Sequence, residues 1–209
     1  MVQNQTLRIL EALLREDPKF HGRDMAGTQN YAIHPMVLEW MATKLSVGIR
    51  TFETGCGYTT ILLASLASKH TVISPFPEEH ELIRSWCASH GIPTDHVEFI
   101  AKPSQEVVPN LPHQPLDFVL IDGDHAFPAP FIDWYYMADM LKVGGHVAVD
   151  DTQIPTGGIL RQFLLQESGR WSLASELGKT SIFTRVTDLH VAKGVMWDQQ
   201  PFCRIPEGH

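Results

Sequence analysis

Three apolar stretches of the sequence each end in carboxylate side chains, which are residues that could hold a charged ligand. Glu53 ends the stretch "IRTFE", Asp122 ends "LDFVLID", and the pair Asp150 and Asp151 follows "GGHVAV". If these stretches are parallel strands, their carboxyl ends meet at one edge of a sheet, where ligands bind. Carboxylates at such an edge can coordinate a hard cation or pair with an ammonium group. The pattern predicts a site for a cationic ligand at that edge.

Two glycines follow Glu53 in "FETGCGYTT" and predict a tight turn into a helix. Gly55 and Gly57 would let the backbone approach a ligand, and the exposed N–H groups at a helix start favour a carboxylate or phosphate. The dinucleotide fingerprint GxGxxG is incomplete, because Thr60 stands at its third glycine position. An acid is unfavourable beside a pyrophosphate but favourable beside an amine. Glu53 therefore favours S-adenosyl-L-methionine, which carries an ammonium, a carboxylate and a sulfonium, over NAD.

The elements that must position these residues alternate between strands and helices. Strands are predicted over 49–53, 70–74, 97–101, 116–122 and 144–150, and helices over 58–68, 77–91, 131–141 and 158–167. An amphipathic helix is predicted at the amino terminus, a second helix from Pro35, and an antiparallel hairpin in "WSLAS" and "TSIFTR". Such alternation requires right-handed crossovers. It predicts an α/β fold, a Rossmann-like three-layer sandwich with a mostly parallel seven-stranded sheet and a C-terminal antiparallel hairpin.

The 209 residues are predicted to form one domain. Without internal repeats or linkers, the chain divides into an N-terminal helix and loop (1–34), a core (35–186) and a C-terminal tail (187–209). Apolar residues make up 44% and charged residues 19% of the sequence, which is ordinary for a soluble globular protein.

The net charge and the cysteines indicate which class of substrate and which cellular compartment to expect. The formal net charge is −8 and no block is rich in lysine or arginine, so the sequence favours a small-molecule substrate over nucleic acid. No apolar run reaches the roughly 20 residues of a membrane span, and the amino terminus lacks the features of a signal peptide. Three scattered cysteines, Cys56, Cys87 and Cys203, indicate reduced thiols and a cytoplasmic protein. The oligomeric state, monomer or homodimer, is left open.

Four motifs in order resemble a known family. "FETGCGYTT" resembles the first motif of class I S-adenosylmethionine-dependent methyltransferases. "PSQEVVPNLP", after the third strand, resembles the adenine-binding stretch of the cation-dependent catechol and caffeoyl-CoA O-methyltransferases. The resemblance covers about residues 35–186. It implies that S-adenosylmethionine is bound by Glu53, Gly55, Gly57, Thr59, Ser74, Ser104, Gln105 and Asp122. From the sequence alone, Ser104 could equally be a helix N-cap.

The stretches "DFVLIDGDHAF" and "GGHVAVDDTQIPTGG" resemble the catalytic part of the same group. The resemblance implies that Asp122, Asp150 and Asp151 bind a metal ion, and hard oxygen ligands favour Mg²⁺ or Ca²⁺. Asp124 is a further candidate, either as an outer-shell group or as a substitute ligand. His125 stands where the family usually has a lysine base, and a neutral imidazole can also remove a proton from a hydroxyl. The alternatives are a solvent-facing loop histidine and an aspartate pair that only forms a turn.

One position departs from the family. The acid that usually binds both ribose hydroxyls at the end of the second strand is replaced by Ser74, in "VISPFPEE". Serine offers one hydrogen bond and no charged bidentate contact. Either Glu78 or Glu79 reaches back to this position, or cofactor binding is weaker.

The sequence thus predicts an S-adenosylmethionine-dependent methyltransferase that methylates the oxygen of a small-molecule hydroxyl. The loop at 20–34 and the tail are expected to shape the acceptor pocket. Its candidate lining residues are Tyr31, His34, Trp197 and Phe202, although aromatic residues in such segments are as often satellite core. Two alternatives stay open at this stage, an NAD(P)-dependent oxidoreductase and a non-catalytic cofactor-binding protein.

Overall fold

A seven-stranded sheet organises the structure, a computed structural model that describes residues 2–21, 33–189 and 196–204. The strands lie in the order β3-β2-β1-β4-β5-β7-β6. The first five are parallel, β7 is antiparallel to β5, and β6 is antiparallel to β7. The predicted fold class is therefore confirmed. The strands are β1 Ile49–Thr54, β2 Ala67–Ile73, β3 Val97–Ile100, β4 Leu116–Ile121, β5 Leu141–Val149, β6 Trp171–Leu177 and β7 Thr180–Arg185.

Helices cover both faces of the sheet and connect its strands. They are α1 Val2–Glu16, α2 Pro35–Lys44, α3 Tyr58–Leu66, α4 Pro77–Ser89, α5 Ser104–Val107, α6 Ala129–Met137 and α7 Pro155–Gln166. Short 3₁₀ segments lie at 108–110, 138–140, 197–199 and 201–203. None of the helices in the described parts of the chain is long and apolar enough to cross a bilayer.

The sheet separates two apolar clusters, because successive side chains of a strand point to opposite faces. In β4, Phe118 and Leu120 belong to the cluster that also contains the buried residues of α1 to α4. Val119 and Ile121 belong to the cluster formed with α6 and α7. This alternation buries both faces and leaves the strand ends as the places where polar groups can meet a ligand.

Several predicted boundaries differ from the structure. Leu141 was predicted to end a helix, but it begins β5, since α6 stops at Met137 and a 3₁₀ turn follows. Between Leu141 and His146 the strand contains more residues than the paired segment of β4, so it bulges, with Gly144 at a φ of +84°. The strand was predicted to begin at Gly144, whereas it begins at Leu141 and the double glycine lies in this bulge.

Candidate cofactor and acid–base site at the carboxyl edge of the sheet

The glycine turn after β1 is fixed by a close approach to the end of β4. Gly55 has a φ of +83°, and a Cβ atom there would lie 2.2 Å from the carbonyl oxygen of Asp122. The N–H group of Asp122 donates to the carbonyl of Thr54 at 3.2 Å. Only glycine satisfies both the backbone angle and the contact. The two strand ends are therefore held together at the centre of the predicted site.

Thr60 has a structural role at the third fingerprint position. Its hydroxyl accepts a hydrogen bond from the Gly57 N–H at 3.0 Å and donates to Oε1 of Glu53. It thereby ties the first turn of α3 to β1. Thr59, a predicted cofactor contact, is buried in the same turn.

Glu53 is completely buried rather than exposed at the rim of the sheet. Its Oε1 also lies 3.2 Å from Nε2 of His70, whose Nδ1 is 2.8 Å from the hydroxyl of Thr51. Its Oε2 has no hydrogen-bond partner among the described residues. A buried acceptor without a partner requires a donor from a ligand or water. The contact with His70 was not predicted, because it depends on strand pairing and not on local sequence.

Glu79, and not Glu78, reaches back to the position of the missing ribose acid. Ser74 follows β2 and donates from its hydroxyl to Oε2 of Glu79 at 3.4 Å. The Cys56 thiol of the glycine turn donates to the same oxygen at 3.4 Å, and Nδ1 of His21 lies 3.1 Å from Oε1. Glu79 is buried, whereas Glu78 is exposed. One carboxylate therefore joins β2, the glycine turn and the N-terminal segment.

The electrostatic state of this carboxylate follows from its partners. Burial raises the pKa of Glu79, but hydrogen bonds and charge from His21, with hydrogen bonds from Cys56 and Ser74, lower the pKa more. The net pKa lies below the usual range, so the group is ionised at neutral pH. Burial also raises the pKa of the Cys56 thiol, which stays neutral and acts as a donor.

The β3–α5 junction carries the predicted adenine contacts. Ser104 is the buried first residue of α5 and Gln105 is exposed beside it. The alternative interpretation of Ser104 as an N-cap is wrong, because Pro103 occupies the N-cap position.

Asp133 of α6 lies close to Ser104 and is completely buried. Neither of its carboxylate oxygens has a hydrogen-bond partner of normal geometry among the described residues. Burial raises its pKa to about 6, although the hydroxyl groups of Ser104 and Thr54 lie close enough to lower it in part. Asp133 was not predicted as a site residue; its only signal in the sequence is an acid inside the apolar stretch "APFIDWYYM".

The acids that follow β4 and β5 converge as predicted, together with a lysine that was not predicted. Nζ of Lys179, in the β6–β7 turn, lies 2.7 Å from Oδ1 of Asp151 and 3.3 Å from Oδ2 of Asp150. The Thr180 hydroxyl donates to Oδ1 of Asp150. Desolvation and the neighbouring carboxylates of Asp150 and Asp151 raise the pKa of Asp122 well above its usual range, while Lys179 opposes this shift.

His125 is paired with this cluster. Its Nε2 lies 2.9 Å from Oδ2 of Asp151, and its backbone carbonyl accepts a hydrogen bond from the Thr156 hydroxyl at 2.6 Å. The contact with Asp151 raises the pKa of His125, and the same contact lowers the pKa of Asp151. The imidazole is therefore oriented by a carboxylate and is not simply a loop side chain in solvent.

The fit of a divalent cation depends on the same groups. Ligand atoms of Asp122, His125 and Asp151 lie within 4.8 Å of one another. Asp150, a predicted ligand, contacts Thr180 and Lys179 instead. Because an ammonium group stands against two of the three aspartates, they do not form the open oxygen cage that Mg²⁺ takes. Asp124, the substitute ligand, is exposed and accepts the N–H of Ala126 at 2.9 Å, so it shapes the loop.

A cavity of about 420 Å³ opens beside the acid cluster, between the N-terminal helices and the β6–β7 turn. His34, one of the predicted acceptor-pocket residues, lines it and also caps α2 by accepting the Met36 N–H at 3.3 Å. The lining residues are Leu14, Asp17, Ile33, His34, Pro35, Tyr58 and Lys179.

The other predicted acceptor residues lie elsewhere or are not described. Phe202 packs edge-to-face on Phe163 with ring centroids 5.3 Å apart and belongs to the satellite core, as the alternative interpretation held. Trp197 is 62% exposed and does not line the cavity. Tyr31 lies outside the described residues.

Sequence and fold comparisons relate this chain to methyltransferases. Residues 52–152, which include the glycine turn and the acid cluster, match the family described as "Methyltransferase domain". The glycine turn and the acid cluster thus lie in a segment that is similar to methyltransferase domains. Among curated proteins, no sequence matches the chain. The alternative of an NAD(P)-dependent oxidoreductase loses its support. The segment that matches the methyltransferase family is also the one in which Thr60 leaves the dinucleotide fingerprint incomplete.

Solved structures share the fold of the methyltransferase domain. The O-methyltransferase TomG from Streptomyces achromogenes, in complex with SAM, has a TM-score of 0.58 and 19% identity, covering 87% of this chain and 89% of that chain. An O-methyltransferase from Bacillus cereus in complex with SAH has a TM-score of 0.58 and 21% identity, covering 86% and 91%. An rRNA methylase from Streptococcus thermophilus has a TM-score of 0.56 and 15% identity, covering 73% and 95%.

Substitution of Gly55 by alanine tests the close approach of β1 to β4. We expect Gly55→Ala to lose ~2 kcal/mol or more of unfolding free energy, because the left-handed backbone and the contact with Asp122 both oppose a Cβ atom. Gly48→Ala is the matched control, since Gly48 has the same φ of +83° with no atom within 4 Å of its Cβ position. Urea unfolding of both variants measures the difference, and equal losses would contradict the contact.

Substitution of Asp133 tests the buried carboxyl. Its folded pKa of about 6 lies above the ordinary aspartate pKa of 3.8, so the folded state binds the proton more tightly than the unfolded state. Ionised Asp133 therefore destabilises the fold, and wild-type stability falls as pH rises from about 4 to about 6. Asp133→Asn should escape this loss and gain up to about 3 kcal/mol above pH 6. Urea unfolding across this pH range checks the result, and a pH-independent difference would contradict it.

Proposed function

We propose that this protein transfers a methyl group from S-adenosylmethionine to the hydroxyl oxygen of a small molecule. The observation that carries the proposal is the His125–Asp151 pair at the same sheet edge as the glycine turn, where Asp151 also pairs with Lys179, a residue that lines the cavity. An acid–base pair beside a cofactor turn is what hydroxyl methylation requires. The O-methyltransferases with the same fold, whose structures are complexes with SAM or SAH, are consistent with it.

The cofactor would lie across the carboxyl ends of β1, β2 and β3. The turn at Gly55 lets the backbone approach it, and Ser104 with Gln105 stands on the adenine side. When bound, the cofactor supplies an electrophilic methyl group on a sulfonium. Oε2 of Glu53 is a free buried acceptor for a donor on the ligand or an intervening water.

Glu79 would take over the ribose contact that Ser74 cannot make alone. Its carboxylate is ionised, buried and directed to the end of β2. It provides the charged acceptor that vicinal hydroxyl groups bind most strongly. Glu79 would thus supply the charged contact that an acid at the strand end makes in the family.

His125 would remove the proton of the acceptor hydroxyl, and Asp151 would orient the imidazole and stabilise the imidazolium that forms. Thr156 fixes the backbone of His125 from α7. Catalysis then depends on positioning the hydroxyl oxygen in line with the methyl group. The cavity lined by His34, Tyr58 and Lys179 is the proposed place of the acceptor.

A small molecule suits this cavity better than nucleic acid does. The net charge of −8 opposes binding of a polyanion, and the acids at the edge of the sheet add to that repulsion. The rRNA methylase with the same fold is only 15% identical, which shows the shared architecture and no shared substrate.

Replacement of the proposed base tests the chemistry. His125→Ala should lower kcat by roughly 10²–10⁴-fold, because the hydroxyl loses its proton acceptor. The affinity for S-adenosylmethionine should stay nearly unchanged, since His125 acts on the acceptor. Methyl transfer from radiolabelled cofactor to a panel of phenols, sugars and carboxylates is the measurement. His113→Ala, at an exposed loop position, is the matched control. Full activity of His125→Ala on a methylated acceptor would refute the assignment.

Replacement of Glu79 tests the ribose contact. Glu79→Gln should weaken S-adenosylmethionine binding by about tenfold or more, because a charged hydrogen bond to the ribose becomes neutral. Calorimetric titration measures the dissociation constant, and circular dichroism verifies the fold. The neighbouring Glu78→Gln is expected to bind like the wild type, since Glu78 is exposed. Equal affinities of the two variants would show that the ribose is held by other groups.

A further inference from the structure

Lys179 is placed by its turn directly above the acids at the end of β5. Gly178 and Lys179 alone connect β6 to β7, and Gly178 has a φ of +63°. Ser181 of β7 pairs with Val149, the last residue of β5. The turn before Ser181 therefore overhangs the strand end that leads into Asp150.

The backbone of Lys179 is anchored on the same segment. Its carbonyl oxygen accepts the Thr152 N–H at 2.9 Å and the Thr152 hydroxyl at 2.8 Å. The side chain then returns to Asp150 and Asp151, which precede Thr152 in sequence. Contacts from both the main chain and the side chain fix the ammonium group over the acid pair.

The charges of this acid cluster are balanced by groups of the chain itself. Asp151 lies between the Lys179 ammonium and the His125 imidazole, at 2.7 Å and 2.9 Å. Asp150 is held by Lys179 and the Thr180 hydroxyl. Burial lowers the pKa of Lys179, but Asp151, Asp150 and Asp122 raise this pKa by more than burial lowers it. The lysine therefore stays charged. The ammonium group of Lys179 thus offsets the repulsion between these carboxylates, which a metal ion would otherwise have to offset.

We propose that Lys179 is the resident cation of this site and that the protein transfers the methyl group without a divalent metal ion. The inference rests on the proposed methyltransferase function and deepens it. Because Lys179 also lines the cavity, its ammonium stands beside the acceptor oxygen as that oxygen loses its proton. Fixed positive charge at such a point stabilises the developing anion.

The step balances without another reactant. The hydroxyl proton moves to His125, the oxygen forms a bond to the methyl carbon, and the carbon–sulfur bond breaks with its electron pair remaining on sulfur. Lys179 keeps its protons throughout and acts by charge alone. A divalent ion would have to displace the ammonium from Asp150 and Asp151 before it could bind all three aspartates.

Direct ion binding provides the first test. Mn²⁺ is titrated into the full-length wild type, Lys179→Gln and Lys142→Gln, and free Mn²⁺ is followed by electron paramagnetic resonance. Lys142 pairs with Asp117 at 2.7 Å, away from the site, and is the matched control. Wild type and Lys142→Gln should bind Mn²⁺ only in the millimolar range or weaker, whereas Lys179→Gln should bind it more tightly by about tenfold or more, because its acids are released. Stoichiometric micromolar binding by the wild type would overturn the proposal, even if the Lys179 variant failed to fold.

Activity with and without chelator provides the second test. Wild-type methyl transfer to an acceptor from the panel should be the same in EDTA as in excess MgCl₂. Lys179→Gln should lose about 10²–10³-fold in kcat, with Mg²⁺ restoring part of the loss and Lys179→Arg retaining more activity. Transfer that requires Mg²⁺ in the wild type would overturn the role of Lys179 and leave the methyltransferase proposal intact. Failure to methylate any acceptor under either condition would count against the proposed function, while the Mn²⁺ titration would still decide the role of Lys179.

Discussion

Neighbouring parallel strands necessarily bring their last residues together, and in this protein those residues are acidic. Asp122 and Asp150 directly follow β4 and β5, one residue past the regular pairing. Like charges at this spacing oppose the fold unless a positive group or a proton offsets them. The chain uses both means, since Lys179 lies against Asp150 while Asp122 has a raised pKa. The position of the C-terminal hairpin and the pairing of His125 both follow from this constraint.

The opposite side of the site depends on a different carboxylate. Glu79 comes from the first turn of α4 and is reached by Ser74, Cys56 and His21. An acid at the end of β2 would be fixed by its own strand, whereas Glu79 is fixed by three separate segments. The proposed cofactor side of the site therefore depends on the packing of the N-terminal segment against the glycine turn, in which Gly57 comes near His21.

The sequence was sufficient for the fold and for the edge at which the site lies, because both depend on local periodicity. Alternating strands and helices predicted the sheet, and acids at the strand ends predicted the convergence of Asp122, Asp150 and Asp151. Groups brought in from a distance in sequence could not be predicted. Lys179 reaches Asp151 only because β7 is inserted beside β5, and His70 meets Glu53 only through strand pairing. The bulge in β5 was not predicted either, because it depends on how β5 pairs with β4.

The two-residue connection between β6 and β7 gives the hairpin an unexpected importance. The Lys179 carbonyl accepts a hydrogen bond from Thr152, and Gly178 has a left-handed backbone. Both features restrict where the lysine side chain can lie. Lengthening this connection by even one residue would carry the ammonium away and leave an exposed carboxylate pocket suited to a hard ion. Dependence on metals within this architecture could therefore change through loop length, with every acid left in place.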